Sequence, residues 1–385
     1  HADLAGGFRR ESDILDVWLD SGVSWLSVLG EDAVADLYLE GSDQHRGWFQ
    51  SSLVMSTALR AASPYKAVLT HGFVLDDKGR AMHKSAGNVV APRDVISKRG
   101  ADVLRLWVAL SDYNDDVRIS DKLLEVPGEA YRRVRNTLRY LLGNLHDFDA
   151  ARAVPFEKLP EMERYLLHRL AALQKETLAD YADYRYRAAA RRLVDFCAFD
   201  LSAFYLDVTK DRLYTFREDA PERRAAQTVM AETLARLSAL ISPILSFTAE
   251  EAWAFWTGRL APSVFLWDLP APDARWTDAP LAARWSAVLE LRERVQKKIE
   301  EARERKAVGS SLQASVILPY DARDYNGFNL EEILIVSKVD WRSGGSDISV
   351  AQAPGTKCPR CWRRQTDIGA DASSPELCGR CARQL

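Results

Sequence analysis

The chain has no apolar run near the ~20 residues that span a bilayer, and its start shows no charged, then apolar, then small-residue leader pattern. A membrane protein and a secreted precursor are therefore not expected. Neither sign of charge is in excess: 52 basic residues against 55 acidic ones leave a net charge of −3. Any nucleic-acid surface must then be a local basic face, because no global field would draw a polyanion. Cysteine is scarce, five residues in 385, and four of them fall in two Cys-x-x-Cys pairs. That arithmetic suits a metal in a reducing compartment, so a cytoplasmic location is expected and a disulfide framework is not. His1 stands where a start methionine would, and the chain is expected to be the C-terminal part of a longer polypeptide. What remains is an ordinary soluble composition, 47% hydrophobic and 28% charged, long enough for two or three domains.

The rest of the chain is organised around residues 70–90, Thr-His-Gly-Phe-Val-Leu-Asp-Asp-Lys-Gly-Arg-Ala-Met-His-Lys-Ser-Ala-Gly-Asn-Val-Val. Ala67-Val68-Leu69 and Phe73-Val74-Leu75 read as short buried strands, and Asp76-Asp77-Lys78-Gly79 as a polar turn that reverses the chain. Met82-His83-Lys84-Ser85 is then a cationic loop bounded by Gly79 and Gly87. A lysine on a flexible loop beside a strand suits a phosphate, as a mobile point charge. A basic surface hairpin is the other reading of the loop alone.

Upstream, alternate apolar residues over 13–25 predict a strand ending at Ser21-Gly22. Residues 36–40 are the next strand, followed by Gly41-Ser42-Asp43-Gln44-His45-Arg46-Gly47-Trp48-Phe49-Gln50. Ser42 or Asp43 is expected to cap the helix that runs through Met55 to Leu59. Strand, glycine turn and capped helix put Glu40 to Gln44 at the C-terminal end of a parallel sheet, where open α/β sheets bind ligands. Glu40 and Asp43 can accept from an ammonium or hydroxyls, Gln44 can donate and accept, and Gly41 admits close backbone approach. A solvated strand end would carry the same residues.

Downstream the pattern turns helical. Short helices are predicted within 92–119, then long amphipathic ones over 131–145, 162–179, 185–212 and 223–240, with a break at Pro243 and a new start at Thr248. Arg132, Arg135 and Arg139 share one helical face, a stripe that fits either solvent or a phosphate backbone; the latter is favoured. Cys197 falls at a core position. Residues 262–279 read as linker, and 281–307 as an exposed helix with mixed charges at pairing distances. Strand-like runs at 314–318 and 333–339 make a small α/β module, with Ser343-Gly344-Gly345-Ser346 and Ala353-Pro354-Gly355 as exit linker.

The tail needs no analogy. Cys358-Pro359-Arg360-Cys361 and Cys378-Gly379-Arg380-Cys381, sixteen residues apart, have the spacing of a structural zinc site. Four thiolates close a tetrahedral ion and leave no open position, so the site is structural. Arg360, Trp362, Arg363, Arg364, Arg380 and Arg383 crowd this knuckle and fit an RNA backbone and an unstacked base, or a charged rim around a folding nucleus.

Gly79-Arg80-Ala81-Met82-His83-Lys84-Ser85-Ala86-Gly87-Asn88 resembles the Lys-Met-Ser-Lys-Ser signature of class I aminoacyl-tRNA synthetases. Ala81 and His83 replace its first lysine and first serine, while Lys84 and Ser85 keep its second lysine and last serine. Tyr38 to Phe49 resembles the isoleucyl version of the adenylate-binding segment, residues 13–25 the return from an inserted editing domain, and 196–214 the helical-bundle domain. The four-cysteine tail points to the bacterial-type isoleucyl branch over the valyl and leucyl ones. The resemblance implies a multidomain fold: a Rossmann-like α/β catalytic portion (1–120), an all-α anticodon-binding bundle (121–262), a helix plus small α/β module (275–345) and a zinc-binding knuckle (352–385). It implies ATP-dependent activation of L-isoleucine and transfer to isoleucine tRNA, by a monomer, with Mg²⁺ accompanying ATP. Lys84 would be the catalytic cation, aided by His83; Glu40, Gly41, Asp43, Gln44, Lys84 and Ser85 would hold the nucleotide; Cys358, Cys361, Cys378 and Cys381 would hold Zn²⁺. No His-x-Gly-His signature and no editing segment occurs, so the chain alone is expected to be inactive. A stand-alone tRNA-binding module and a valyl or leucyl relative are the other readings.

Overall fold

The computed structural model describes residues 12–319, 325–342 and 347–385; the expected linker Ser343-Gly344-Gly345-Ser346 lies outside the described residues. The chain divides into two units, 1–98 with 111–125, and 99–110 with 126–385.

In the first unit the predicted opening strand is instead a pair of short helices, α1 (Val17–Gly22) and α2 (Ser24–Leu29). Asp16 accepts from the Trp18 amide at 2.8 Å and so caps α1, and Val17, Trp18 and Leu19 stand in a row where a half-buried strand would alternate. A β-α-β unit comes next: β1 (Ala35–Gly41), α3 (Trp48–Arg60) and β2 (Tyr65–His71). The two strands run parallel with Glu40 opposite Thr70 and Gly41 opposite His71. Tyr38 anchors the unit, stacked on Trp48 at 4.0 Å and tilted against Tyr65 at 4.7 Å. The capping expectation needs correcting, because neither Ser42 nor Asp43 caps α3. Residues Ser42–Arg46 form their own 3-10 turn, and Gln44 Oε1 takes the Trp48 amide at 2.9 Å.

β3 (Val74–Leu75) pairs in parallel with β4 (Val117–Arg118), a strand the sequence did not suggest, and α4 (Pro92–Arg99) lies between them in the chain. The strands expected to be buried are not: Val68, Phe73 and Val74 are 37%, 50% and 41% exposed. Each sheet of this unit has two strands among the described residues, too few to enclose a strand on both faces.

The second unit is helical first. It comprises α5 (Ala101–Leu110), α6 (Glu125–Asn144, from Val126 on), α7 (Glu161–Ala182), α8 (Tyr186–Asp195), a π-helical segment (Phe196–Tyr205), α9 (Leu206–Thr215), α10 (Pro221–Ile241) and α11 (Ser246–Phe255). The α6 stripe works as predicted, with Val134, Leu138, Leu141 and Leu145 buried in one core with Leu166, Cys197, Tyr205, Met230 and Trp253. Burial pushes the Cys197 thiol up to about 12, and it is an inert core residue. At Pro243 the broken helix is made good by α5: Arg105 donates to the Pro243 and Ile244 carbonyls at 2.8 Å, and Asp102 accepts from Thr248 N at 2.7 Å. Residues 262–279 are no slack linker. Trp276 and Val264 are buried, and Gln174 and Arg236 both donate to the Pro270 carbonyl.

The long helix α12 (Ala279–Glu304) serves two cores. Leu281, Trp285 and Val288 enter the bundle, while Leu291, Val295 and Ile299 pack on a module of β5 (Ala314–Pro319), α13 (Leu330–Ile333), β6 (Lys338–Arg342) and β7 (Ser349–Gln352). Its sheet order is β6-β5-β7, the first pair parallel and the second antiparallel. Residues 333–339 were expected as one strand; a capped turn of helix takes their start, because Asn329 accepts from the Glu332 amide. Two short strands, β8 (Thr356–Lys357) and β9 (Arg364–Gln365), and a final helical turn, α14 (Gly379–Ala382), form the tail.

Charge is buried in this unit where the sequence suggested surface. Arg292 of the supposedly exposed helix α12 is 3% exposed and donates to Ile333 O, Ala203 O and Asp207. Of the expected phosphate-contacting stripe, Arg132 pairs with Glu129 at 2.9 Å and Arg135 takes Glu251 in two bonds of 2.5 and 3.0 Å, so among the described residues only Arg139 is left unpaired. Below α6, Asp147 joins Arg223, Arg224 and Gln227. Burial pushes its carboxyl up, but the hydrogen bonds and charges of these partners outweigh that and hold it at about 2. The Asp147 pKa is lowered on folding, so its contribution of about 2 kcal/mol is whole above pH ~4 and lost as the pH falls through about 2. Asp147→Ala, which leaves two buried guanidinium groups without it, should destabilise the bundle by about 3 kcal/mol. Thermal unfolding at pH 7 should then show the melting temperature falling by roughly 6–12 °C, and below pH 2 the gap to wild type should narrow.

Candidate functional site

Two sets of residues converge in ways that allow chemistry, one in each unit. In the first unit β1 delivers Glu40 and Gly41 to the C-terminal end of the parallel pair, and the 3-10 turn after it carries Asp43 and Gln44. Gln44 donates to Asp43 at 3.2 Å while its oxygen caps α3, so the amide is fixed at both ends. The Asp43 carboxylate folds back over Gly41: a Cβ there would lie 2.6 Å from its oxygen, so a larger residue at 41 would oblige that carboxylate to shift. Glu40 is exposed and its carboxylate carries no hydrogen bond or ion pair among the described residues.

The loop beyond β3 is ordered by a residue whose part the sequence did not reveal. Asp76 is 4% exposed and accepts from Lys78 N, Arg80 N, Arg80 Nε and Asn88 Nδ2, at 2.8 to 3.0 Å. Asn88 then crosses the loop, donating to the Ala81 carbonyl at 3.1 Å and accepting from His83 N at 2.9 Å. The hydrogen bond from Asn88, followed by those from Arg80, holds the Asp76 carboxyl far below the ordinary carboxylate range. Gly79 closes the turn at φ 75° and Gly87 ends the tip at φ 65°, both in the left-handed region. Between them Lys84 and Ser85 stand on a single 3-10 turn, Lys84–Ala86, exposed and with side chains bonded to nothing described. His83 too is exposed, and its backbone amide is the group that Asn88 uses. Asp-x-x-Gly was legible as a turn; that its carboxylate would also lace the loop to a residue twelve positions on was not.

In the second unit the tail brings its four cysteines together. β8 and β9 pair antiparallel, Thr356 with Gln365 and Lys357 with Arg364, which sets the Cys358–Cys361 turn at their end. Cys378 stands just before α14, whose single turn carries Cys381 back. All four are buried and their sulfurs lie within 4.8 Å of one another, with Cys361 and Cys378 at 3.8 Å. A tetrahedral zinc with sulfurs at ~2.3 Å needs sulfurs about 3.8 Å apart, so the cluster has the right size. The hydrogen bond from Cys381 holds the Cys361 thiol well below the usual thiol range, and the same bond pushes Cys381 up. Four thiolates held this close repel one another, and a dication supplies the charge that offsets them. The structural zinc site fits these residues.

Four of the arginines around it bond back to the protein. Arg360, Arg363, Arg364 and Arg380 donate to Thr215 O, Val336 O, Ala353 O and Asp211 respectively; Arg363 is buried and the other three are half-buried. A guanidinium drawn from solvent needs acceptors, and three backbone carbonyls and the Asp211 carboxylate offer them. Trp362, 59% exposed, stays outside with Lys357 over its ring at 5.4 Å, as does Arg383.

Comparison with known proteins agrees region by region. Residues 2–120 match the model for tRNA synthetases class I (I, L, M and V), 163–318 that for the anticodon-binding domain of tRNA ligase, and 355–384 the zinc finger found in FPG and IleRS. The isoleucine–tRNA ligase of Geobacter sulfurreducens is 48% identical over 97% of this chain and 43% of its own length. That of Bordetella pertussis is 45% identical over the whole of this chain and 43% of its own. The chain thus spans less than half the length of the curated relatives it matches. Among solved structures, a leucyl-tRNA synthetase from Agrobacterium radiobacter K84 (TM-score 0.58, 82% of this chain and 36% of that one) and the methionyl-tRNA synthetase of Mycobacterium tuberculosis (TM-score 0.52, 68% and 56%) share the fold at 19% identity. No helix among the described residues is long and apolar enough to cross a membrane. With matches to the class I synthetase, anticodon-binding and zinc-finger models following one another along it, and 48% identity to an isoleucine–tRNA ligase over 97% of its length, the chain belongs to the class I aminoacyl-tRNA synthetase family.

Proposed function

We propose that this chain serves as the ATP-site and tRNA-binding part of an isoleucine–tRNA ligase, with the four regions bounded as 1–120, 121–262, 275–345 and 352–385. The reaction has two steps. The isoleucine carboxylate attacks the α-phosphate of ATP, releasing pyrophosphate, and a terminal ribose hydroxyl of isoleucine tRNA then takes the acyl group from the adenylate. Neither step requires a protein nucleophile; both need positioning and charge stabilisation. Lys84 is the cation for the triphosphate, with Mg²⁺, and Ser85 and the His83 amide region complete the loop. Glu40 takes the ammonium of the activated amino acid, while Gly41, Asp43 and Gln44 line the ribose. A monomer in the cytoplasm is the setting this reading implies.

One observation supports it above the rest. The loop's own carboxylate, Asp76, is saturated by Arg80 and Asn88, so Lys84 is held out on an ordered turn with its charge unspent. A surface hairpin has no need of such lacing. In the full-length ligase, Lys84→Ala should slow isoleucine-dependent pyrophosphate exchange by at least about 100-fold, with KM for isoleucine little changed. An unchanged exchange rate removes Lys84 from the reaction. Asp76→Ala should act through Lys84, lowering the same rate by about tenfold or more while the melting temperature of the helical unit stays put. The purified chain should hold about one zinc ion by elemental analysis, and Cys361→Ser should lose it. Gel shifts with isoleucine tRNA, run beside an ATP-binding assay, separate this reading from a stand-alone RNA module, which would bind RNA but no nucleotide.

A further inference from the structure

α9 ends in a turn where two adjacent residues of opposite charge point to different partners. Arg212 turns into the bundle, between Glu163 of α7 and Glu332 of α13. Asp211 turns the other way, and the tail closes on it. Arg380 grips its carboxylate with two bonds, 2.6 and 3.1 Å, and Arg363 adds a third at 3.4 Å. Thr215, one turn on, donates its hydroxyl to the same carboxylate at 3.1 Å. Arg360 donates twice to the Thr215 carbonyl, at 3.1 and 2.9 Å, at the negative end of the α9 dipole. Asp211 is 15% exposed at its side chain; burial pushes its carboxyl up, and Arg380 with Arg363 brings it below the ordinary value.

The positions of these arginines matter. Cys358-Pro359-Arg360-Cys361 and Cys378-Gly379-Arg380-Cys381 each carry arginine at their third position, inside the metal-binding loop itself. Both arginines reach one helical turn of α9, so the two loops cannot take up their arrangement around the metal independently of that turn. Arg380 is also the chain neighbour of Cys381, which puts its guanidinium one residue from a metal ligand and on Asp211 at once. We propose that Asp211 is a positioning residue for the zinc site: it aims Arg380 and Arg363, and through them holds the two Cys-x-x-Cys loops in the geometry that retains the ion. Docking on α9 and metal binding are then linked, each favouring the other by the same factor. Groups that orient metal ligands from outside the coordination sphere typically change metal retention by 10- to ~100-fold.

The test tracks zinc itself. In the full-length protein loaded with one equivalent of zinc, transfer of the ion to a chromophoric chelator should be about tenfold faster or more in Asp211→Asn than in wild type. Asp211→Glu, which keeps the charge, should recover most of the difference. Glu332→Gln cuts the neighbouring Arg212 pair but leaves Arg380 and Arg363 anchored, and should release zinc at the wild-type rate. Wild-type release from Asp211→Asn overturns the proposal, and so does an equal acceleration in Glu332→Gln, which would make the effect one of general loosening. Should Asp211→Asn fail to fold, Arg380→Gln breaks the same pair from the tail side and is read by the same assay, with helical circular dichroism as the check that the bundle is intact.

Discussion

A guanidinium cannot shed its charge and carries five donors, so it can be buried only where acceptors are brought to it. Six arginines among the described residues are buried to nine-tenths or more: Arg212, Arg223, Arg224, Arg236, Arg292 and Arg363. Each one ties together segments far apart in the chain. Arg223 and Arg224 fix the end of α6 through Asp147, and Arg236 fixes the strap at Pro270. Arg292 fixes the module through the Ile333 carbonyl, and Arg363 fixes the tail through that of Val336. Apolar packing makes the bundle compact, but it is indifferent to small slides and rotations. These bonds are not, since a misplaced partner leaves a charge stranded in low dielectric. The order in which strap, module and tail are laid on the helices is set by where the arginines find oxygen.

The signature loop uses the same chemistry with the signs exchanged. There the buried group is a carboxylate, Asp76, and the donors come from its own loop, the farthest of them Asn88. Because Arg80 and Asn88 satisfy it, Lys84 has no partner among the described residues, and its exposed ammonium is available to an external anion. Order in the backbone and freedom in one side chain are thus produced by a single acceptor. The strand end at Glu40 shows a similar division: Gln44 is committed on both sides, to Asp43 and to the α3 amide, while Glu40 is not.

This division explains what could be read from the sequence. Helical periodicity marks a buried stripe whatever it packs against, so α6, α7 and α10 were legible along with Cys197 in the core, whereas α12 was legible as a helix but not as one with buried residues along its length. The tail was legible because four thiols at that spacing have few other uses. Segments whose state depends on a side chain capping the backbone were not: Asp16 turns the expected strand into α1, and Asn329 turns the start of another into α13. The fate of arginines was least legible. On a helical wheel Arg292 looks like its exposed neighbours, and only Asp207 and two carbonyls from distant segments take it inside. Arg135 finds Glu251 across 116 residues, and Arg360 finds Thr215 across 145. Charge count alone carries no trace of such pairings.

The tail shows how far these bonds extend the fold. Its apolar cluster consists of four cysteines, Leu377 and the half-buried Ile368, far less surface than a segment of that length needs to offset its lost conformational entropy. A metal bound by the four thiols supplies part of the difference, and the contacts on α9 and on the module at Val336 and Ser337 add to it. The bundle has no such dependence, with Trp253, Trp285, Tyr205 and many leucines in a continuous core. Stability is therefore graded along the second unit, from a core that stands by itself to a finger that exists by virtue of an ion and one carboxylate. Placing arginine inside each Cys-x-x-Cys loop is what joins those two supports: the residues that bracket the metal are the ones that grip the helix.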